Sequence, residues 1–157
     1  MRKLVVISSV LGLVLALFAL SNLSATRPAV AADEAQAAAP APVEEDMHEF
    51  MEYVFQPTFK RLQQQMALEE KDRAAWKQIK SDSLILAEGG NLTMMRGGND
   101  GADWNEYCRK VRYLGGALYK SAKLRDAGAA RQHYVAMIEQ CNACHKTYAG
   151  GEHQLEP

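Results

Sequence analysis

Between positions 47 and 148 the apolar residues return every three or four places, and no stretch sustains a period-two alternation of β-branched side chains. That spacing commits the chain to helices and excludes a sheet protein. The first helix is expected over about 43–67, with Met47, Phe50, Met51, Val54, Phe55, Leu62 and Met66 in one stripe and Glu44, Glu45 and Asp46 against its positive end. Pro57 lies inside it and is expected to bend the rod near 53–57 rather than end it, because the stripe resumes at Leu62. The second opens at Asp72 as N-cap, carries Trp76, Ile79, Leu84 and Leu86, and is expected to stop at Gly89-Gly90, residues suited to a left-handed cap. After a glycine-rich loop over 91–102, the third starts at Asp103 and repeats Trp104, Tyr107, Val111, Leu114, Leu118 and Ala122. The fourth starts at Asp126 and runs through Ala130, Tyr134, Met137 and Ile138 to Cys141.

Short connections between consecutive helices favour an all-α, antiparallel up-down-up-down four-helix bundle over 47–148. The end of the fourth helix, the start of the first, the end of the second and the start of the third must then share one pole. Outside the bundle, MRKLVVISSVLGLVLALFAL pairs Arg2 and Lys3 with an apolar run, and Ala29-Val30-Ala31 sets small residues at a processing site. The reading is a signal peptide over 1–31, cleaved after Ala31, in preference to a retained anchor. Cleavage removes Arg2, Lys3 and Arg27 and no carboxylate, so the formal charge moves from −1 to −4. No basic excess points to nucleic acid. Residues 32–46 are Ala/Pro/Glu-rich with little to bury and read as a flexible tether, and 149–157, AGGEHQLEP, as a loose polar tail.

Near the C-terminus stands CNACHKTYAGG. On a helix Cys141, Cys144 and His145 project from one face, which suits a single flat object. C-x-x-C-H is the attachment signature of haem c: two thiols bind the porphyrin covalently and the next imidazole binds iron. A secreted chain fits that chemistry. The competing readings are poorer. A structural zinc site needs a fourth ligand, with only Cys108 or a stray histidine to supply it. A thiol-redox pair belongs at the start of a helix after a strand, and a disulfide between Cys141 and Cys144 would close a very small loop. Cys108, beside Tyr107, reads as a small buried hydrophobe.

With a leader, four amphipathic helices and CNACH closing the last one, the chain resembles the cytochrome c prime family, including its low-spin methionine-ligated relatives. The resemblance covers roughly 46–148 and rests on Cys141, Cys144 and His145, the run QPTFKRL, DRAAW opening the second helix, and Trp104 opening the third. It implies one covalent haem c between the ends of the first and fourth helices, with His145 as the proximal iron ligand. Counting back from DRAAW, the first-helix position that faces iron in the family falls on Met51, with Met47 one turn earlier as its substitute. The shared pole places the loop that carries Arg96 near a haem propionate, which Arg96 is then expected to pair, and Trp104 is expected to pack at the haem pole. His48, His133 and His153 read as solvated.

A thioether opposite imidazole gives a saturated low-spin iron of raised potential. The functional expectation is therefore a periplasmic one-electron carrier that turns over no substrate, with a redox partner protein and a possible homodimer through the first two helices. The alternative is a five-coordinate binder or sensor of small gases.

Overall fold

The computed structural model describes residues 41–97 and 101–157; the expected leader, its cleavage site and residues 32–40 of the tether lie outside the described residues. Six helical segments follow in order: α1 (Met47–Phe50), a π-helical segment (Met51–Phe55), α2 (Gln56–Met66), α3 (Arg73–Arg96), α4 (Gly101–Leu124) and α5 (Ala127–Tyr148), with no strand among the described residues. The first three are one continuous rod, since Phe50, Phe55 and Gln56 all keep right-handed helical angles at the junctions. The chain is thus all-helical, with four rods packed against each other.

Three of the rods start where an aspartate can cap them. Asp46 accepts from the His48 and Glu49 amides, Asp72 from Ala75 and Asp126 from Ala129. Each cap satisfies donors that the first helical turn leaves free. The first rod therefore begins at Met47, four residues later than its acidic flank suggested; Asp46 belongs to the cap and Glu44 and Glu45 lie outside. Pro57 acts as expected in not ending the rod. Its ring crowds the Tyr53 carbonyl and offers it no N–H, and the chain widens into the π-helical turn just ahead, where the Gln56 amide reaches the Met51 carbonyl.

The second helix departs from expectation. It does not stop at Gly89-Gly90 but runs on to Arg96, and the loop expected over 91–102 shrinks accordingly. The glycines serve packing. A Cβ on Gly89 would stand 2.6 Å from the Phe55 ring, and one on Gly90 would stand 2.8 Å from the Cys108 carbonyl oxygen. Gly115 on α4 meets the Ala87 backbone in the same way. Hydrogen in place of a methyl lets α3 and α4 lie backbone to backbone. The third helix likewise starts earlier than expected, at Gly101 rather than Asp103.

Contacts between rods fix their directions. Arg61 pairs with Asp82 while Arg96 reaches Glu44; Gly90 meets Cys108 while Gly115 meets Ala87; Tyr107 meets Thr147 while Ser121 meets His133. In each neighbouring pair, one index rises as the other falls, so the neighbours are antiparallel. The core runs through all four rods: Leu62 and Met66, then Trp76, Ile79 and Leu86, then Val111 and Leu118, then Tyr134, Met137 and Ile138. Burial of these side chains at about 25 cal/mol per Å² is the main favourable term. Asp82, fully buried between α2 and α3, is held by Arg61 at 2.8 Å and by Gln78 at 2.9 Å. No helix among the described residues is long and apolar enough to cross a membrane.

Candidate functional site

The antiparallel order brings the expected elements to one pole. Arg96, on the last turn of α3, donates to the Glu44 carbonyl at 3.3 Å and lays its guanidinium 3.7 Å from the Phe50 ring centroid. Trp104, on the first turn of α4, is buried, donates its indole N–H to the Thr93 carbonyl at 3.1 Å, and meets the Tyr148 ring edge-on at 5.0 Å. Gly97 makes room for that indole, for a Cβ there would collide with it. Trp104 thus packs against the end of α5, while Arg96 already has two carbonyl partners, Glu44 and Leu92. Met94 and Met95 fall on α3 itself rather than on a loop.

Cys141, Cys144 and His145 occupy the last turns of α5, all half-buried, and all three cysteines of the chain are free thiols. Burial, and then the neighbouring Cys144, pushes the Cys141 thiol up to about 12; burial also raises Cys144. Cys108 is buried on α4 as expected, and burial together with Cys144 pushes it up to about 11. These thiols stay protonated at neutral pH. A dithiol redox centre works through a thiolate of lowered pKa, and here burial shifts both thiols the other way. Among the described residues no group of three or more His, Cys, Asp or Glu side chains gathers closely enough to hold a bare metal ion. A haem iron does not need one, because the porphyrin supplies four of its ligands.

His145 is more constrained than its surface position suggests. Its Nδ1 lies 2.9 Å from the His153 carbonyl oxygen, which can only accept, so Nδ1 carries the proton and Nε2 of the neutral ring keeps its lone pair. One nitrogen is anchored and the other keeps its lone pair, an arrangement shared with imidazoles that ligate metals.

The partner that anchors it belongs to the stretch expected to be a loose tail. That expectation is overturned. After Tyr148 the chain reverses through Gly150 and Gly151 at φ of 62° and 82°, left-handed angles that favour glycine, while the Ala149 and Gly151 amides both return to the His145 carbonyl. Asn142 then clamps Leu155 at two points, accepting from its amide at 2.8 Å and donating to its carbonyl at 2.9 Å. Leu155 packs against the core, and Gln63 of α2 donates to the Glu156 carbonyl at 2.8 Å. Residues 149–157 form a strap from α5 to the first rod. Asn142, Leu155 and the His153 carbonyl were missed by sequence reasoning; the only trace was a Gly-Gly turn followed by one apolar residue.

Met51 opens the π-helical segment and Met47 opens α1, both half-buried. His48, next to Met47, is exposed, lies 3.4 Å from Glu52, and holds its ring 6.4 Å from that of His153. Since the His153 carbonyl sits on His145, both methionines share the pole with the imidazole. His133, expected to be solvated, is half-buried with Nδ1 3.1 Å from the Ser121 hydroxyl. No protein-family model matches the chain, and no curated protein matches it in sequence.

Proposed function

We propose that this protein is a monohaem c-type cytochrome working as a one-electron carrier. The observation that carries the reading is the donor set on the last turns of α5: two free thiols beside an imidazole whose Nδ1 is anchored to a backbone carbonyl, which leaves Nε2 its lone pair. In this reading Cys141 and Cys144 hold haem c by thioether bonds, His145 binds its iron through Nε2, and Met51, with Met47 as substitute, takes the opposite side. Haem c supplies a one-electron iron couple.

The rest of the chain binds, orients and shields. Trp104, buried at the pole with Tyr148 edge-on against it, shields that end of the bundle, and Arg96 neutralises carboxylates that approach its exposed edge. The resemblance to cytochrome c prime supports the same assignment and brings with it secretion to the periplasm and a possible dimer. Charge is divided between the ends. Exposed Glu44, Glu45, Asp46, Glu49 and Glu52 crowd the start of the first rod, whereas Arg73, Lys77, Lys80, Lys123 and Arg125 ring a hollow over Trp76 at the far end, none of them paired with a carboxylate among the described residues. A redox partner approaching the cysteine pole is therefore best matched if it is basic.

Produced with haem-attachment machinery, the protein is expected to be red, to keep its haem in acidic organic solvent, and to give a low-spin spectrum indifferent to carbon monoxide when reduced. Met51→Ala abolishes the low-spin signature and Met47→Ala preserves it. The reverse pair of results moves the ligand one turn. A high-spin spectrum that responds to carbon monoxide in the unaltered protein selects the gas binder instead, and a colourless chain after competent maturation overturns both.

A further inference from the structure

We infer that the C-terminal strap, residues 149–157, is a positioning device for the iron-binding imidazole: the His153 carbonyl fixes which nitrogen of His145 faces the metal, and the Asn142–Leu155 clamp holds that carbonyl in place. The inference rests on the proposed cytochrome reading and adds to it an orienting group contributed by the tail.

The geometry has three parts. The hydrogen bond from Nδ1 to the His153 carbonyl, 2.9 Å long, keeps a proton on Nδ1 and so keeps Nε2 bare. A side-chain imidazole on the last turns of a helix otherwise turns about its two side-chain bonds and exchanges tautomers with water; the carbonyl removes both freedoms. A backbone carbonyl in a nine-residue tail does not hold still unaided. The Asn142 amide therefore matters: it meets both polar groups of the Leu155 backbone, at 2.8 Å and 2.9 Å, from within the C-x-x-C-H sequence itself. The same α5 turn that bears the thiols and the imidazole thus also bears the anchor of the strap. The third part lies across the bundle, where Leu155 packs on the core and Gln63 takes the Glu156 carbonyl, so the strap is tied to the first rod as well as to α5.

Two consequences follow for a bound iron. The imidazole would meet the iron in one orientation and one tautomer, with Nε2 turned to the metal. Sharing its Nδ1 proton with a carbonyl also makes the ring a stronger donor through Nε2, which favours the ferric state and lowers the reduction potential.

The test uses the full chain and two alterations. Asn142→Ala unclasps the strap, and a stop after Gly151 removes it; His153→Ala is the control, because the carbonyl belongs to the backbone and survives. In the 15N-labelled, haem-free full chain, NMR is expected to show His145 protonated on Nδ1 and bare on Nε2, a bias retained in His153→Ala and lost in Asn142→Ala and in the shortened chain. In the matured protein the two strap variants are expected to have a higher reduction potential than the parent, with His153→Ala unchanged. An unbiased tautomer in the intact chain, or strap variants that keep both the tautomer and the potential of the parent, overturns the inference. If the strap variants fail to mature, the haem-free NMR measurement decides by itself. A colourless intact chain that still shows the Nδ1-protonated ring sinks the cytochrome reading while the strap geometry stands, so the two failures are distinguishable.

Discussion

The seam between α3 and α4 and the seam between the first rod and α5 are built on opposite plans. At the former, Gly90 and Gly115 bring two backbones together so closely that a single methyl on Gly90 would stand 2.8 Å from a carbonyl oxygen. At the latter, no comparably close backbone approach exists among the described residues; side chains meet across the core, and the strap crosses from Asn142 to Gln63. A sealed seam fixes the register of its helices and leaves no room. An open seam sets two antiparallel helices side by side with side chains rather than backbone between them. Cys141, Cys144 and His145 sit at the pole of the open one, where the proposed haem would lie.

The largest effect is expected where the first rod is fastened to the sealed half. Arg61→Ala leaves Asp82 fully buried with only Gln78 for company. Stranding a buried carboxylate costs about 3 kcal/mol. Chemical denaturation of the haem-free chain reads the loss, and a cost near zero would show that water reaches Asp82 and that the first rod is held mainly by its apolar face.

Next comes the sealed seam itself. Gly90→Ala is expected to destabilise by about 2 kcal/mol, since both nearest atoms, the Cys108 oxygen and the Arg112 amide nitrogen at 3.0 Å, are backbone and cannot swing aside. Gly116→Ala, on the neighbouring helix with nothing within 4 Å of its Cβ, is the contrast, and its helix propensity predicts a small gain. Equal effects at the two positions would erase the distinction between the seams.

The same glycines mark what the sequence made legible and what it withheld. The rods, the Asp72 cap and the helical placement of Cys141, Cys144 and His145 follow from local spacing and local hydrogen bonding, and all were readable. Gly89-Gly90 was misread because a glycine that ends a helix and a glycine that admits a neighbour are the same residue, and the deciding atoms, on Phe55, Cys108 and Arg112, lie far away in sequence. The tail was misread for a similar reason. Its polarity and its glycines are those of a loose end, yet Leu155 finds a hydrophobic seat and Asn142 a matching pair of backbone groups only once α5 and α2 stand side by side. Pro57 was legible because its constraint acts within one turn.

The smallest effect is expected at a core residue of α5, one of the two helices that border the open seam. Tyr134 is wholly buried among Leu62, Met66 and Met137, and its hydroxyl is the only buried side-chain polar atom among the described residues without a hydrogen-bond partner. Tyr134→Phe removes that hydroxyl and is expected to raise stability at neutral pH by up to about 1 kcal/mol. Alkaline pH enlarges the difference. Burial pushes the Tyr134 phenol up to about 12 and the Cys108 thiol up to about 11, both above their values of 10.0 and 9.0 in the unfolded chain. A folded state that holds protons the unfolded state has already shed loses stability as pH rises, so the contribution is full below pH 9 and fades between pH 9 and 12. Unfolding of the haem-free chain followed across that range should show stability falling first as the thiols titrate and then as the phenol does; Tyr134→Phe removes the later part of the fall and Cys108→Ala a share of the earlier, the rest of which belongs to Cys141 and Cys144. A phenylalanine variant weaker than the parent by more than about 1 kcal/mol would mean that the hydroxyl has a partner after all. The core beside the open seam would then be as fully satisfied as the sealed one.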